Sequence, residues 1–226
     1  MVAQPCFAVP KPGTSKLQLV NDHTAGAPSL NASIAPEDGS FRPDNLSDLG
    51  ALLIDYYQKH GQAPAWLFKS DASSAYRLLP CHFWWQAWQA TPIDEEFYID
   101  QCCVFRNQAS GAIWCVFYAL VLWIGIYVKN LPGLLHYVDD AFAFNPDEEL
   151  AYYGPYDAYY PKKQSALLCL FDEIGIPHKK RKQEYGQNLT IIGLQVSLDS
   201  MSITMPDDKR ENLVKEISQF INEKSH

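Results

Sequence analysis

The sequence lacks the short motifs that mark several common classes of enzyme. Its 226 residues contain neither a GxGxxG nor a GxxxxGK[ST] loop, which argues against dinucleotide binding and P-loop nucleotide binding. The six histidines form no HExxH motif and the six cysteines no CxxC motif, so neither a zincin nor a zinc finger is supported. With no secretory leader recognised, we expect the cysteines to be reduced thiols of an intracellular protein.

Charge is also scarce, since charged residues make up 19% of the sequence and the formal net charge is −8. This balance argues against a surface coated in positive potential, so any contact with nucleic acid must come from a local patch. Hydrophobic residues make up 47%, enough for a core, and disorder is therefore not expected. The length predicts one domain or two.

One uncharged stretch, from Asn107 to Val128, is almost wholly apolar from Ala112 onwards. It approaches the roughly 20 residues that span a bilayer. Gly111 and Gly125 shorten the strongly apolar part, and no cluster of Lys and Arg flanks it to set an orientation. We expect a core helix buried on all sides, and no membrane partner; a membrane span from Ala112 to Val128 is the alternative.

The rest of the sequence alternates between strand and helix patterns. Strands are predicted at 7–10 and 16–20 around a Pro12-Gly13 turn, at 65–69, at 97–105, and at 189–196 paired with 201–205. Helices are predicted at 46–57 before Gly61, at 112–128, at 164–174 before Gly175, and at 213–221. The tyrosine-rich stretch 152–160 is predicted to be a loop insertion.

Two adjacent carboxylates, Asp139 and Asp140, lie between two apolar arms. They repel each other at such a turn, which a folded protein tolerates best with cations present. A solvated turn is the plainer interpretation, since Asp is common in turns. The strand ending at Asp71 favours the cations, because neighbouring strands would bring Asp71 and Asp139 to one edge of a sheet. Three carboxylates suit two divalent cations roughly 3.5–4 Å apart, as in-line phosphoryl transfer requires.

These residues resemble the motifs of reverse transcriptases. Tyr137-Val-Asp-Asp is similar to their YxDD signature, and Asp71 followed by small residues and Tyr76 resembles their first carboxylate motif. Similar segments occur in the expected order at 7–13 and 19–31 for the fingers, 105–111 for the template contact, 175–182 for the lysine motif, and 189–193 for the primer grip. The resemblance covers about residues 7–210 and is nearest to retroelements that also encode a tyrosine recombinase.

The resemblance implies an α+β fold, a polymerase palm with an antiparallel sheet backed by helices, partial fingers and the start of a thumb. Residues 1–226 would form a single reverse transcriptase domain. Residues 1–60 would be partial fingers, 61–188 the palm with fingers insertions, and 189–226 the primer-grip hairpin and first thumb-like helix. The first fingers elements and an RNase H domain would be missing, as in a truncated gene product or one module of a polyprotein.

The implied activity is RNA-directed DNA polymerisation, a nucleotidyl transfer from deoxynucleotide triphosphates to a primer 3′-hydroxyl on an RNA or DNA template. Asp71, Asp139 and Asp140 would be catalytic carboxylates that ligate two Mg²⁺ ions, for which Mn²⁺ can substitute. The backbone carbonyl of Ala72 would help to hold one of them. One ion lowers the pKa of the primer hydroxyl and the other neutralises the departing pyrophosphate.

Further residues acquire nucleotide-binding roles from the same resemblance. Lys11 and Lys16 would grip the triphosphate. Tyr76 would lie under the sugar and exclude a 2′-hydroxyl, with ordinary core packing as the alternative. Lys182, or its neighbour Lys180, would protonate pyrophosphate as a general acid.

The basic run 179–182 has plainer interpretations, a solvated cluster or a nuclear import signal. The resemblance leaves open whether the protein works in the nucleus or the cytoplasm. It also implies contacts with template and primer, at Phe105, Ser110, Tyr137 and Gly193.

Two positions depart from the family pattern. Gln18 stands where the fingers usually carry an Arg that stacks on the incoming base, and Arg106 stands where the template motif usually has Gly, which permits close backbone approach. Both favour an alternative function, a catalytically inactive, truncated relic that acts only as a nucleic-acid or protein binding module. The intact Asp71, Asp139 and Asp140 favour the active enzyme.

Overall fold

The computed structural model describes residues 5–10, 15–26, 29–35 and 40–224. The elements in chain order are β1 (Cys6–Pro10), β2 (Leu17–Asn21), α1 (Leu46–His60), β3 (Trp66–Ala72), α2 (Phe83–Gln86), β4 (Ala90–Ile93), β5 (Glu96–Ile99), α3 (Ser110–Tyr127), β6 (Leu135–Tyr137), β7 (Asp140–Asn145), β8 (Leu150–Tyr153), β9 (Ala158–Pro161), α4 (Lys162–Ile174), β10 (His178–Gly186), β11 (Asn188–Ile191), β12 (Leu194–Ser197), β13 (Ser202–Thr204) and α5 (Asp207–Lys224).

The chain divides into two compact units. The first unit comprises Met1–Pro43 and Ser73–Val121, and the second comprises Asp44–Ala72 and Leu122–His226. Each unit is therefore built from two separate stretches of sequence. The subdivision predicted from the resemblance, at residues 60 and 188, stays a prediction.

The described part of the first unit contains two antiparallel strand pairs. β1 pairs with β2 as predicted, although the turn residues themselves lie outside the described part of the chain. β4 pairs with β5, but the predicted strand 97–105 is wrong beyond Ile99. There the side-chain amide of Gln89 donates hydrogen bonds to the carbonyls of Asp100 and Cys102, at 2.9 and 3.0 Å. Because a side chain satisfies these carbonyls, the backbone leaves the ladder.

The second unit is organised around a four-stranded sheet in the order β10–β3–β7–β6. Every pair of neighbours in it is antiparallel. Helix α4 packs against β3 and β7, and the buried amide of Gln164 donates to the carbonyl of Lys69 at 3.1 Å. The predicted class, an α+β fold with an antiparallel sheet backed by helices, is confirmed.

The opposite face of this sheet carries an apolar core of the second unit. Leu67 of β3 and Phe142 of β7 are fully buried there against α1 and the small sheet β11–β12–β13. The buried side chains that α1 and the small sheet contribute are Leu49, Leu53, Leu189, Ile191, Val196 and Leu198. This core anchors the strands whose ends carry the predicted carboxylates.

Helix α1 confirms the helix predicted from its apolar spacing. The Asn45 side chain accepts a hydrogen bond from the Ser47 amide, and the Asp48 carboxylate accepts one from the Asn45 amide, which together form a capping box. Gly61 ends the helix with φ 71°, a left-handed conformation that favours glycine. Both ends are thus specified by local residues.

Helix α3 forms where the apolar run predicts a helix, but the expected burial on all sides is wrong. Trp114 and Tyr118 are fully buried, whereas one stripe of apolar side chains is exposed. That stripe consists of Ile113, Val116, Leu120, Trp123 and Tyr127. By length and composition α3 is the one described helix that would suffice to cross a membrane, which is weak evidence, and 44% of it is buried. A run of apolar residues predicts a hydrophobic helix, but it does not show which faces of that helix other elements will cover.

The tyrosine-rich stretch is a β-hairpin, so its prediction as a loop is wrong. β8 pairs with β9, and Tyr153 lies opposite Ala158. Between them the chain turns through a short 3-10 helix, Gly154–Tyr156, and Asp157 with φ 46°. Buried and exposed tyrosines on this hairpin give no clean alternation of apolar and polar residues, which hid the strands.

The predicted strand 189–196 is two strands. β11 and β12 pair with each other through a two-residue turn at Ile192 and Gly193, whose φ angles are 48° and 77°. Two consecutive positive φ angles belong to the hairpin turns whose twist suits antiparallel strands. β12 then pairs with β13, which lies within the predicted strand 201–205. Helix α5 follows and confirms the predicted terminal helix.

Candidate active site

Strands β3 and β7 bring two of the predicted carboxylates face to face. The register places Asp71 directly opposite Asp140 at the end of the pairing. Residues directly opposite each other in an antiparallel pair project to the same face, so both carboxylates share a face with Leu67 and Phe142. The prediction that the strand ending at Asp71 adjoins the strand beside Asp139 is confirmed.

The third carboxylate, Asp139, lies in the turn between β6 and β7. Tyr137 pairs with Asp140, which leaves Val138 and Asp139 as a two-residue turn. The carbonyl of Asp139 accepts a hydrogen bond of 2.9 Å from the amide of Ala72, so the turn is also tied to β3. Val138 has φ 56°, which is rare for a β-branched residue and costs about 1–3 kcal/mol. The fold thus maintains a strained turn at the carboxylates.

The carboxylates are hard to ionise together. Burial, followed by the charges of Asp139 and Asp71, raises the pKa of Asp140 to about 6. Burial is also the largest cause of the raised pKa of Asp139, and the charge of Asp71 adds to it. Like charges on opposed strands destabilise a sheet, so a cation at this edge would stabilise the ionised forms.

A basic bulge in β10 faces these carboxylates. The pairing of β10 with β3 shifts register between two paired positions, His178 with Ala72 and Gln183 with Ser70. Four consecutive basic residues, 179–182, therefore stand opposite the single residue Asp71. We call this segment the basic bulge. Bulges re-aim side chains, and this one gathers positive charge beside the negative charge.

The last residue of the basic bulge contacts a carboxylate directly. The ammonium of Lys182 lies 3.1 Å from Oδ2 of Asp71. This hydrogen bond is the largest cause of the raised pKa of Lys182. The Lys182 side chain is 49% exposed and that of Asp71 is 14% exposed, so the ion pair lies at the mouth of the site. Within the described part of the second unit, the structure thus brings Lys182, predicted to bind nucleotide, to the carboxylates.

Sequence reasoning missed a second cation near the carboxylates, Lys69. Its ammonium donates to the carbonyl of Thr190 at 3.0 Å and pairs with Glu184 at 3.1 Å. Its charge lowers the pKa of Asp140, opposing the effect of burial. The signal was available, because Lys69 precedes Asp71 by two positions and so shares its face of β3.

The donor set at this edge suits a hard divalent cation. Among the described residues, no group of three or more His, Cys, Asp or Glu side chains is already drawn together to hold an ion. However, Mg²⁺ in proteins usually takes one or two carboxylates and completes its octahedron with water and substrate phosphates. The opposed Asp71 and Asp140, with Asp139 beside them, match that demand, and the Lys182 ammonium already compensates part of their charge.

In the first unit, two other predicted site residues contact each other. Tyr76 lies in a short 3-10 helix, Ala75–Leu78, and its ring packs against that of Phe105 with 4.8 Å between centroids. The Phe105 side chain is 57% exposed. A β-carbon added to Gly111 would lie 3.3 Å from the ring of Phe41 and 3.9 Å from the Tyr76 hydroxyl, so the close approach at this glycine is to Phe41.

The departure at Arg106 has a backbone cause that the sequence did not reveal. Arg106 has φ 69°, in the left-handed region that glycine adopts without a steric penalty. Its carbonyl accepts a hydrogen bond of 3.0 Å from the side-chain amide of Asn31, whose Oδ1 accepts one of 2.9 Å from the amide of Gln108. Asn31 thus holds the segment in a conformation that Arg enters with strain.

Solved structures with this arrangement of elements are known. A foamy viral protease–reverse transcriptase in complex with double-stranded DNA matches 93% of this chain at 16% identity, with a TM-score of 0.69. A second structure of that protein, in complex with an RNA/DNA hybrid, matches 97% of the chain at 15% identity with a TM-score of 0.68. The fold is reverse transcriptase-like.

The likeness is one of structure. This chain covers 32% and 27% of the lengths of those two proteins. The native prototype foamy virus enzyme gives a TM-score of 0.61 at 16% identity, over 86% of this chain and 23% of its own. No family model matches the sequence, and no curated protein sequence matches it.

The remaining predicted residues are distributed over both units of the reverse transcriptase-like fold. Lys11 and the side chain of Gln18 lie outside the described part of the chain, and Lys16 is exposed in the first unit. Ser110 begins α3 in the same unit, and its buried hydroxyl has no hydrogen-bond partner among the described residues. Gly193 lies in the β11–β12 turn of the second unit, where its carbonyl accepts a hydrogen bond of 3.0 Å from Lys209.

Proposed function

We propose that this chain is the polymerase core of a reverse transcriptase, which joins deoxynucleotides to a primer 3′-hydroxyl on an RNA or DNA template. The observation that carries the proposal is the register that opposes Asp71 and Asp140 while holding Asp139 in the adjoining turn. The foamy viral proteins of the same fold have double-stranded DNA or an RNA/DNA hybrid bound to them. We infer the same classes of partner here, together with deoxynucleotide triphosphates.

The cofactor in this proposal is Mg²⁺, two ions of it, with Mn²⁺ as a substitute. Asp71, Asp139 and Asp140 would hold the ions, with the carbonyl of Ala72 as a further ligand. When bound, the ions activate the primer hydroxyl and stabilise the charge of the departing pyrophosphate. The raised pKa values of Asp139 and Asp140 favour the proposal, because cation binding relieves the repulsion that raises them.

The lysines near the carboxylates would act on the leaving pyrophosphate. Lys182 lies next to Asp71 and carries a proton, since its pKa is raised above the ordinary value for lysine. Its exposed position permits it to donate that proton to the leaving pyrophosphate, although the hydrogen bond to Asp71 holds the proton more tightly than in a free lysine. Lys180, the alternative donor, binds the carbonyl of Tyr156 at 2.6 Å instead.

We further propose that Tyr76 excludes the 2′-hydroxyl of ribonucleotides. Its ring packs on Phe105, which would hold it in one orientation against a sugar. A retroelement that also encodes a tyrosine recombinase is the proposed source of the chain, and its proposed location is intracellular. Phe105, Ser110, Tyr137 and Gly193 remain the proposed contacts with template and primer.

A second candidate function, an inactive relic that only binds nucleic acid or protein, is favoured by Arg106. Its side chain is exposed and its backbone is strained at the position proposed to contact the template. Phosphate contacts by a protein of net charge −8 would rest on local cations such as the basic bulge. Binding would then weaken steeply with salt.

Primer extension with Mg²⁺ and deoxynucleotides is the experiment that separates the two functions. The full chain should extend a DNA primer on an RNA template, and Asp139→Asn should abolish extension without unfolding the protein. Asp55→Asn, at an exposed carboxylate on α1, is the matched control and should extend like the unaltered chain. Template binding without extension, in the unaltered chain and in both variants, would establish the relic instead.

A further inference from the structure

The tyrosine-rich hairpin formed by β8 and β9 contacts the start of β10 through a chain of hydrogen bonds. The hydroxyl of Tyr156 lies 2.5 Å from Nδ1 of His178, and Nε2 of that ring lies 3.1 Å from Oδ1 of Asp172. The other oxygen of Asp172 accepts a hydrogen bond of 2.5 Å from the hydroxyl of Tyr153. The His178 side chain is 5% exposed and that of Asp172 is 47% exposed, so the ring is shielded from water while the carboxylate lies at the surface.

The direction of each hydrogen bond follows from the groups. A carboxylate only accepts hydrogen bonds, so Nε2 of the His178 ring carries a proton toward Asp172, and in the tautomer with its proton on Nε2 the Nδ1 atom accepts from Tyr156. Burial raises the pKa of Tyr156 to about 12 and also raises that of Tyr153, so both hydroxyls keep their protons. Both nitrogens of the imidazole therefore have partners, which fixes the ring.

This hydrogen-bond network ends at the basic bulge. His178 is the last residue of β10 that pairs with β3 before the register shifts. On the far side, the buried amide of Gln183 donates to the carbonyl of Lys179 at 3.1 Å. The ammonium of Lys180 also binds the carbonyl of Tyr156 at 2.6 Å. The bulge is thus held at both of its ends and in its middle.

We propose that Tyr156 and His178 are positioning residues that hold the basic bulge in the shape in which Lys182 reaches Asp71. A bulge without such support would sample several conformations, since its four long side chains repel one another. We infer that this arrangement binds a polyphosphate. Only this choice of ligand rests on the proposed function. The support of the bulge by the hairpin stands independently of catalysis.

The test variant is Tyr156→Phe, which removes one hydroxyl from this hydrogen-bond network. Tyr152→Phe is the matched control. The Tyr152 hydroxyl lies on the same hairpin, but it donates a hydrogen bond of 3.0 Å to Asp157 and not to His178. Amide hydrogen exchange is measured on the full chain by mass spectrometry. We expect the peptide covering 176–186 to exchange roughly threefold or more faster in Tyr156→Phe, while α1 is unchanged. Tyr152→Phe should leave both unchanged.

A double-mutant cycle shows whether Tyr156 acts through Lys182. The probe is inorganic pyrophosphate, titrated by calorimetry into the full chain. Tyr156→Phe should weaken binding about fivefold, the usual effect of losing one hydrogen bond. In a Lys182→Met background the same change should have no further effect, because the group being positioned is already gone. A merely structural role of Tyr156 would give additive losses in the two backgrounds.

The outcomes separate this inference from the proposed function. Additive losses, or equal losses in Tyr152→Phe, would overturn the positioning role. If the unaltered chain fails to bind pyrophosphate, the polymerase proposal loses its support, and the exchange measurement alone decides the inference. Unchanged exchange in 176–186 on Tyr156→Phe would then overturn it, whereas faster exchange there, with α1 unchanged, would support it.

Discussion

The carboxylate cluster of the second unit and the Tyr76–Phe105–Arg106 segment of the first unit are held in place in different ways. Asp71 and Asp140 are set by the register of a sheet that carries a buried core. Tyr76 and Arg106 are held through side chains, by a ring contact with Phe105 and a hydrogen bond from Asn31. The first geometry is made by the backbone and the second by side chains.

This difference predicts different responses to mutation. Replacing a carboxylate should remove its chemistry and leave the geometry, because the ladder does not depend on the side chain. Replacing a residue of the Tyr76–Phe105–Arg106 segment should change local geometry and chemistry together. Single substitutions in each region test whether the distinction holds.

The largest effect is expected at Asp71. Asp71→Asn should lower primer extension by about 10³-fold or more, since it removes a carboxylate proposed to hold a metal ion. It should also abolish the rise in melting temperature that Mn²⁺ or Mg²⁺ gives to the unaltered chain. Thermal melting with and without the ion measures this, and Asp55→Asn is the control. A full Mn²⁺ response in Asp71→Asn would refute the metal site.

Asp140 should control stability as a function of pH in the absence of divalent cations. Its folded pKa of about 6 lies above the ordinary value, so the folded state holds this proton more tightly than the unfolded state. The contribution of Asp140 to the free energy of unfolding is therefore largest below about pH 4 and falls as the pH rises through about 6. Asp140→Asn should remove that fall and stabilise the protein at pH 7 by about 1–3 kcal/mol.

Urea denaturation between pH 4 and pH 8 measures the effect of Asp140→Asn. The Asp55→Asn control should change the free energy of unfolding by no more than about 0.5 kcal/mol, as expected for an exposed ion pair. A parallel pH dependence in Asp140→Asn and the unaltered chain would show that Asp140 does not carry the repulsion.

Tyr76 should act on sugar selection. Tyr76→Val should raise ribonucleotide incorporation relative to deoxynucleotide incorporation by about tenfold, because the ring that would clash with a 2′-hydroxyl is gone. Tyr76→Phe keeps the ring and should keep the selectivity. Competition between the two nucleotide classes in primer extension gives the ratio. Equal selectivity in Tyr76→Val would mean that the ring only packs against Phe105.

The smallest effect on stability is expected at Arg106. Arg106→Gly should be about 1 kcal/mol more stable than Arg106→Ala, since alanine keeps the β-carbon that strains φ 69°. Urea denaturation of the two variants measures the difference. We also expect the unaltered chain to extend primers weakly and Arg106→Gly to extend them further. Equal stability of the two variants would remove the strain argument, and equal extension by the unaltered chain would show that Arg106 does not obstruct.

The elements that the sequence predicts correctly are those with local signals. Helix α1 has apolar residues at helical spacing, Asn45 at its start and Gly61 at its end. The strand β3 begins with the aromatic and apolar residues Trp66, Leu67 and Phe68 and runs on through Asp71 to Ala72. Adjacency of this strand and Asp139 followed from the resemblance and needed no contact information.

The elements that the sequence predicts wrongly depend on contacts and backbone angles that no pattern of residue types reveals. The strand after Ile99 ends because Gln89 satisfies its carbonyls, and 189–196 folds back because Ile192 adopts a positive φ. The exposed stripe of α3 could not be foreseen, since apolar residues are equally compatible with burial. The register shift opposite Asp71 was likewise invisible, because it exists only once β10 and β3 pair.

The position of β3 inside the sheet affects how the protein can be made. Both neighbours of β3, β7 and β10, come from later in the chain, so β3 emerges from the ribosome with neither edge paired. Its apolar residues Leu67 and Phe68 make such a strand prone to aggregation, and pairing over long sequence separations is slow. Folding chaperones are therefore most needed between the synthesis of β3 and that of β10. A chain cut before His178 would expose one edge of β3 permanently and should aggregate.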